Sequence, residues 1–218
     1  MLFDLRSRGR RRTVQATYLG LAVLMGGGLV LFGVGTGVGG GGLLNGLGGG
    51  GGGSQKPVVS QAEKSALRAT QLRPNDQHAW SDLITARDAT AKQDYNPATS
   101  TFTAAGRKEL AAETQAWQRY LQLTKQPDST LAILAARAYG AVGDFAPAAS
   151  AWQIVTLANP SQVNAFECLA ASAYAAHQTH LGDLASTKAI GLVPKVRQFE
   201  IKQVLTQAKT QPQVAQQC

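Results

Sequence analysis

Proline spacing constrains the fold of this chain more than any other feature of the sequence. After Pro57 the chain is rich in alanine, glutamine and leucine, and it contains few glycines and little alternation of β-branched residues. Prolines lie near the start or just past the end of the apolar runs, at Pro74, Pro97, Pro127, Pro160 and Pro194. Because proline removes a backbone donor and ends helices, this spacing predicts an all-α region of several short helices.

Residues that are apolar, with one arginine among them, recur in this region at helical spacing, which predicts amphipathic helices. Three stripes are present: Trp80, Leu83, Ile84 and Arg87; Leu110, Trp117 and Leu121; Val163, Phe166, Leu169, Ala170 and Ala173. Aromatic residues at such spacing are core residues by default, so we expect packing roles rather than a site for Trp80, Trp117, Tyr139, Trp152 and Phe166.

The first 57 residues have a different composition. Five arginines lie within residues 6–12, before a run without charge at residues 14–38. A run of this length is sufficient for a helix to cross the hydrocarbon core of a bilayer. We predict a basic cytoplasmic N-terminus at 1–13, a transmembrane helix at 14–38 and a flexible glycine-rich linker at 39–57.

The arginine cluster also predicts the orientation of this span. Positive residues remain on the cytoplasmic side, and no comparable cluster follows the apolar run. The chain is therefore predicted to be a single-pass protein of the cell membrane, with a cytoplasmic N-terminus and an extracytoplasmic C-terminal domain. A cleaved secretory signal is the alternative interpretation of the same segment.

The formal net charge of +8 is unevenly distributed, with half of it before the apolar run. A basic cluster beside such a run is typical of a topogenic signal, whereas a nucleic-acid surface needs basic residues on a folded face. We expect no nucleic-acid partner. The alternative, that the arginines bind nucleic acid or anionic lipid, predicts a steep salt dependence.

A repeat organises the helical region. Small, aromatic and turn residues follow Ser129 in the order Ala136, Tyr139, Gly143, Asp144, Phe145, Ala148, Trp152, Val155 and Pro160. This order resembles the tetratricopeptide repeat (TPR), a helix pair of about thirty-four residues. In that family a Gly-Asp-Tyr sequence opens the turn between the helices, and small residues let them approach closely.

A second copy begins at Val163, thirty-four residues after Ser129, and closes at Pro194. This copy is degenerate, because Gly182 and Ser186 replace the usual alanine and aromatic residue. Its small and apolar packing positions are otherwise filled, by Leu169, Ala170 and Ala189.

A third trace begins near Gln77, after Pro74, and an insertion between residues 91 and 107 lengthens it. Residues 110–123 are predicted to form its long second helix. Residues 195–209 are predicted to form a capping helix, which short repeat arrays need. The apolar residues assigned to that helix are Val196, Phe199, Val204 and Leu205.

The resemblance implies an all-α, TPR-like helical-hairpin repeat array (an α-solenoid) over residues 58–210, followed by a tail at 211–218. In such arrays the inner face of each first helix receives a peptide or a partner helix. The alternative is a solvated face without a ligand. Carried over to this sequence, the partner-binding groove is formed by His78, Ser81, Thr85, Asp88, Arg137, Asn164, Glu167 and Tyr174.

Catalytic residues are not evident in the sequence. His177 and His180 have a spacing that suits two metal ligands, but no third ligand is near them. The glycine runs lack the lysine and the Ser/Thr of a phosphate loop. We therefore expect no enzyme activity, no metal and no cofactor.

The two cysteines, Cys168 and Cys218, form no CxxC, metal-binding or lipid-attachment motif. A buried or half-buried thiol at Cys168 and a free cysteine on the tail are the favoured interpretation, because chain ends are usually loosely held. A disulfide between them is the alternative.

These observations together predict a membrane-tethered adaptor for protein–protein interaction in the cell envelope, with a protein or peptide partner. Similar anchored bacterial TPR proteins assist secretion, folding or assembly. The alternative is a structural membrane protein that forms a homo-oligomer and has no separate client.

Overall fold

The computed structural model describes residues 60–218, so the predicted transmembrane helix and glycine-rich linker lie outside the described residues. Within 60–218 no helix is both long and apolar enough to cross a bilayer. The α-helices of this part are α1 Gln61–Leu72, α2 Gln77–Gln93, α3 Ala104–Leu123, α4 Ser129–Val142, α5 Phe145–Ala158, α6 Val163–Ala175, α7 Thr179–Leu192, α8 Gln198–Ala208 and α9 Gln213–Gln216.

The all-α prediction is confirmed for this part of the chain, with one small exception. The insertion after α2 contains two short antiparallel strands, β1 Tyr95–Asn96 and β2 Thr101–Phe102. The rings of Tyr95 and Phe102 meet edge to face across this hairpin, with their centroids 5.0 Å apart. Such an aromatic pair stabilises a hairpin that is too short to persist on backbone hydrogen bonds alone.

Side-chain caps fix where several helices begin. The Ser60 hydroxyl accepts a hydrogen bond from the Glu63 N–H, and the Asp76 carboxylate accepts one from the His78 N–H. At the start of α4, one carboxylate oxygen of Asp128 accepts hydrogen bonds from two backbone N–H groups. Each cap satisfies donors that have no partner inside the helix.

Helices α2, α4 and α6 begin at Gln77, Ser129 and Val163, and we refer to them as the first helices. Each packs against the helix that follows it, α3, α5 or α7, which we refer to as the second helices. Only Gly143 and Asp144 separate α4 from α5, so these two helices form an antiparallel hairpin. Gly143 has a φ of 85°, in the left-handed region that favours glycine.

Contacts between neighbouring helices join the hairpins into one sequential arrangement. Helix α1 packs on α2, α3 on α4, and α5 on α6, while α2 also contacts α4. Helix α8 packs against both α6 and α7 at the end of the arrangement. No hairpin buries its apolar face alone, so adjacent hairpins depend on each other for stability.

The core combines large aromatic residues with many alanines. Trp117, Tyr139 and Trp152 are buried as the sequence predicted, whereas Trp80 and Phe166 are half-buried at its edge. Small side chains bring the helix backbones close together, and the aromatic rings fill the remaining space. The fully enclosed alanines include Ala132, Ala135, Ala148, Ala149, Ala170 and Ala173.

One glycine marks a close approach between α6 and α7. A Cβ atom added at Gly182 would overlap the ring of Tyr174, whose hydroxyl is held by hydrogen bonds to α7. The glycine that departs from the repeat pattern at this position therefore makes room for a tyrosine.

We expect Gly182→Ala to lower the free energy of unfolding by about 1–3 kcal/mol, because the new methyl group must displace a held ring. The control is Gly191→Ala in the same helix, where an added Cβ meets nothing within 4 Å. Urea denaturation should show a loss for the first variant only. Equal midpoints of urea denaturation for the two variants would contradict the close packing of Gly182 against the Tyr174 ring.

The predicted apolar face of the capping helix requires correction. Val196 and Phe199 are 85% and 68% exposed, and Val204 is also exposed. Helix α8 begins only at Gln198, after a 3-10 turn at Lys195–Arg197, so Val196 does not belong to the helix. The residues of α8 that face the core are Ile201, Leu205 and Ala208.

Candidate partner-binding surface

Three of the residues predicted for the groove form a polar strip on α2. His78 and Thr85 are exposed and Ser81 is half-buried. The Thr85 hydroxyl donates to the Ser81 carbonyl, at 3.1 Å. The opposite side of α2 carries Leu83 and Ile84, which are almost completely buried. The strip is therefore presented from a helix that the core holds in place.

Helix α6 contributes two more of the predicted residues. Asn164 is exposed and Glu167 is half-buried. Desolvation raises the pKa of Glu167, and the positive charge of Arg197 partly opposes this effect. Asn164 carries an amide group and Glu167 a carboxyl group, which can both form hydrogen bonds.

Asp88 lies on α2 but is already engaged by a residue of the same helix. Its carboxylate forms an ion pair with the Lys92 ammonium group, at an N–O distance of 2.6 Å, and the Asp88 side chain is only 14% exposed. Asp88 is therefore half-buried and paired within its own helix, and it lies close to a group of buried charged residues.

That group contains carboxyls that the sequence interpretation missed. Glu63 of α1 is buried and accepts a hydrogen bond from the Thr90 hydroxyl at 2.9 Å. Burial raises the pKa of Glu109 on α3, and the nearby charge of Glu63 adds to the effect. The guanidinium of Arg87 lies 3.8 Å from Glu63.

Glu113 of α3 is the most enclosed of these carboxyls. Its side chain is fully buried, and among the described residues neither carboxyl oxygen has a hydrogen-bond partner. Desolvation, with a smaller effect from the negative charge of Asp88, raises the pKa of Glu113 to about 9. The sequence did contain a signal, because Glu113 lies on the same stripe as Leu110 and Trp117.

Tyr174 does not lie on an exposed surface, so its assignment to the groove requires correction. Its ring is only 7% exposed and packs against α7. The hydroxyl hydrogen-bonds to Asp183 at 2.8 Å and to Ser186 at 2.9 Å. Lys209 lies over the ring, at 5.1 Å from its centroid, and donates to Asp183. Tyr174, in the last turn of α6, thus links α6 to α7.

Arg137 on α4 contacts the end of the sequence. Its Nε donates to the carbonyl oxygen of Cys218 at 2.9 Å. Residues 213–218, which we refer to as the C-terminal segment, contain α9, and this helix packs on α4, α6 and α8. Ala215 is 2% exposed, and its carbonyl oxygen would lie 3.0 Å from a Cβ atom at Gly140. The expectation of a loosely held tail is therefore wrong.

A disulfide joins Cys168 of α6 to Cys218, and the Cα atoms are 5.5 Å apart. The favoured interpretation of a buried free thiol and an unpaired tail cysteine is wrong, and the alternative is correct. Fifty residues separate the two cysteines in sequence, so nothing in their spacing reveals the pair. Only the fold brings Cys218 back to α6.

Of the two histidines with metal-compatible spacing, His177 lies in the turn between α6 and α7, and His180 lies in the first turn of α7. Both His177 and His180 are exposed, and His177 has a φ of 59°. Across residues 60–218, no group of three or more His, Cys, Asp or Glu side chains is arranged to hold a metal ion.

The predicted surface residues thus lie on three first helices, and the C-terminal segment covers part of α4 and α6. The described part of the chain is an all-α protein built from packed helix pairs. No protein-family model matches the chain. A comparison with curated proteins likewise finds no significant match.

Proposed function

We propose that this chain is a membrane-tethered, TPR-like adaptor that binds other proteins and has no catalytic activity of its own. The observation that carries this proposal is the position of the first helices. They begin at Gln77, Ser129 and Val163; the last two starts are one repeat length apart, an insertion lengthens the first interval, and polar side chains on these helices remain accessible. Such rows of helices provide extended binding surfaces in repeat proteins.

The proposed mechanism is reversible capture close to a membrane. A transmembrane helix at residues 14–38 and a linker at 39–57 hold the helical domain near membrane partners. Tethering raises the effective concentration of the domain without requiring additional contacts. The proposed role is to assist secretion, folding or assembly in the cell envelope.

The disulfide supports the extracytoplasmic location that the arginine cluster predicts. Disulfides persist in oxidising compartments and are rare where thiol systems keep cysteines reduced. The Cys168–Cys218 bond and five arginines before the apolar run are independent observations that favour the same side of the membrane.

The adaptor proposal is tested by a matched pair of threonine variants. Thr85 on α2 and Thr187 on α7 are both exposed, and each hydroxyl donates to the carbonyl four residues earlier. We expect Thr85→Arg to reduce the recovery of crosslinked partners from membranes by tenfold or more, because it places a bulky charge on the binding strip.

Thr187→Arg should leave partner recovery unchanged, because Thr187 lies on a second helix. Quantitative mass spectrometry of crosslinked material measures both variants against the unmodified chain. Equal recovery with both variants, or recovery of the chain alone, would contradict the adaptor proposal.

Self-association is the second candidate function, and an apolar groove between α5, α6 and α7 favours it. Leu157 and Leu184, which line it, are 82% and 57% exposed, and Phe166 also lines it. A second copy of the chain could cover these side chains. Sedimentation in detergent distinguishes the candidates, because a homo-oligomer predicts a defined larger species without any other protein.

A further inference from the structure

The C-terminal segment lies on the helices that the adaptor proposal assigns to partners. Arg137 on α4 binds its last carbonyl, and Cys168 on α6 holds it covalently. Cys168 is one residue from Glu167 and one helical turn from Asn164. A partner that binds along α4 and α6 therefore meets residues 213–218 first.

The contacts of this segment are limited apart from the disulfide. Ala215 is the only one of its residues that is buried, whereas Val214 and Cys218 are half-buried and the glutamines are exposed. The hydrogen bond from Arg137 is exposed to solvent, where such bonds contribute little. The disulfide adds a covalent link between this segment and α6, and so keeps the weak contacts formed.

We infer that the surface of α4 and α6 beneath residues 213–218 is a docking surface for a short peptide segment of a partner protein. The C-terminal segment is its built-in occupant, and reduction of the Cys168–Cys218 disulfide releases it. This inference rests on the proposed adaptor function. It specifies that partner binding to the surface of α4 and α6 depends on the redox state of the disulfide.

The occupant indicates which peptide chemistry fits the surface. Residues 213–216 form one helical turn, and the backbone of Ala215 lies directly against Gly140. A partner segment therefore needs a small residue at this contact, because its backbone must lie close to Gly140, which has no side chain to hold it away. It also needs a carbonyl or carboxylate oxygen within reach of Arg137, as Cys218 supplies here.

Release requires a dithiol protein or reagent as the reductant. Its thiolate attacks the sulfur of Cys218, which is half-buried, rather than that of Cys168, which is 2% exposed. The disulfide breaks as a mixed disulfide forms, and the second thiol of the reductant then displaces Cys218. Two electrons and two protons pass to the chain, which gains two thiols, and the dithiol becomes a disulfide.

The test uses the full chain in detergent and a fluorescein-labelled peptide of residues 207–218 with serine in place of the cysteine. Fluorescence anisotropy measures peptide binding to the oxidised chain, to the chain reduced with dithiothreitol, and to Cys218→Ser. We expect saturable binding to the last two and at least tenfold weaker binding to the oxidised chain. Equal binding to all three, or no binding to Cys218→Ser, would overturn the inference.

A glycine pair shows whether the peptide occupies the inferred surface. In the Cys218→Ser background, Gly140→Leu should abolish peptide binding, because only the C-terminal segment lies within 4 Å of a Cβ at this position. Gly191→Leu is the matched control, and nothing lies within 4 Å of its Cβ. Thermal unfolding verifies that both variants fold. Unchanged binding by Gly140→Leu would place the peptide elsewhere and refute the inference.

Failure of this inference and failure of the adaptor proposal give different results. Partner recovery that is equal from oxidised and reduced membranes, and that still depends on Thr85, would refute the redox-controlled surface alone. Redox-dependent peptide binding without any membrane partner would refute the adaptor function alone.

Discussion

Trp152→Ala is expected to lower the free energy of unfolding by about 3–5 kcal/mol. Trp152 is 1% exposed and lies in the middle of α5, among the alanines that bring α4 and α5 together. Its removal leaves a cavity that neighbouring small side chains cannot fill, and so it costs both transfer free energy and packing. Urea denaturation followed by circular dichroism measures the loss.

The control for this variant is Phe199→Ala on α8, where the ring is 68% exposed. Its effect should stay within about 0.5 kcal/mol, as is usual for exposed positions. A small loss for Trp152→Ala would contradict the packed hairpin of α4 and α5. A large loss for Phe199→Ala would contradict the assignment of α8 to a face built on Ile201 and Leu205.

Glu113 is expected to make the protein less stable as the pH rises. Burial raises the folded-state pKa of Glu113 to about 9, well above the ordinary range of a glutamate, so the folded state holds this proton more tightly than the unfolded state. The stabilising contribution is complete below the unfolded pKa and is lost as the pH rises toward the folded value. Between pH 5 and pH 7.5 the loss from this group amounts to about 3 kcal/mol.

Glu113→Gln removes the titrating proton with little change of shape. Its stability relative to the unmodified chain should therefore rise by about 3 kcal/mol between pH 5 and pH 7.5. Urea denaturation at the two pH values gives this difference directly. Glu200→Gln is the control, because the Glu200 side chain is 72% exposed and should give no such change. A difference that is independent of pH would contradict the enclosure of Glu113.

The helices were predictable because local signals mark them strongly. Prolines and apolar spacing indicated the all-α class, and the helix starts at Gln77, Ser129 and Val163 follow the positions read from the sequence. The core aromatics Trp117 and Trp152 were predictable for the same reason, because they lie on periodic stripes.

Other features depend on tertiary contacts that local sequence does not specify. The disulfide forms because α9 returns to α4 and α6, fifty residues after Cys168. Tyr174 turns toward α7 because Gly182 leaves space for its ring. His78 and Asn164 are exposed, but the local sequence contains no signal that would specify a ligand for them.

Site-specific photo-crosslinking in intact membranes tests most directly whether the first helices bind partners. A photoreactive amino acid is introduced at exposed positions of the first helices, namely His78, Thr85 and Asn164, and of the second helices, namely Gln115, Ser150 and Lys188. The adaptor proposal predicts crosslinks to other proteins from the first set and few from the second. Crosslinks confined to the second set, or spread evenly over both, would contradict it.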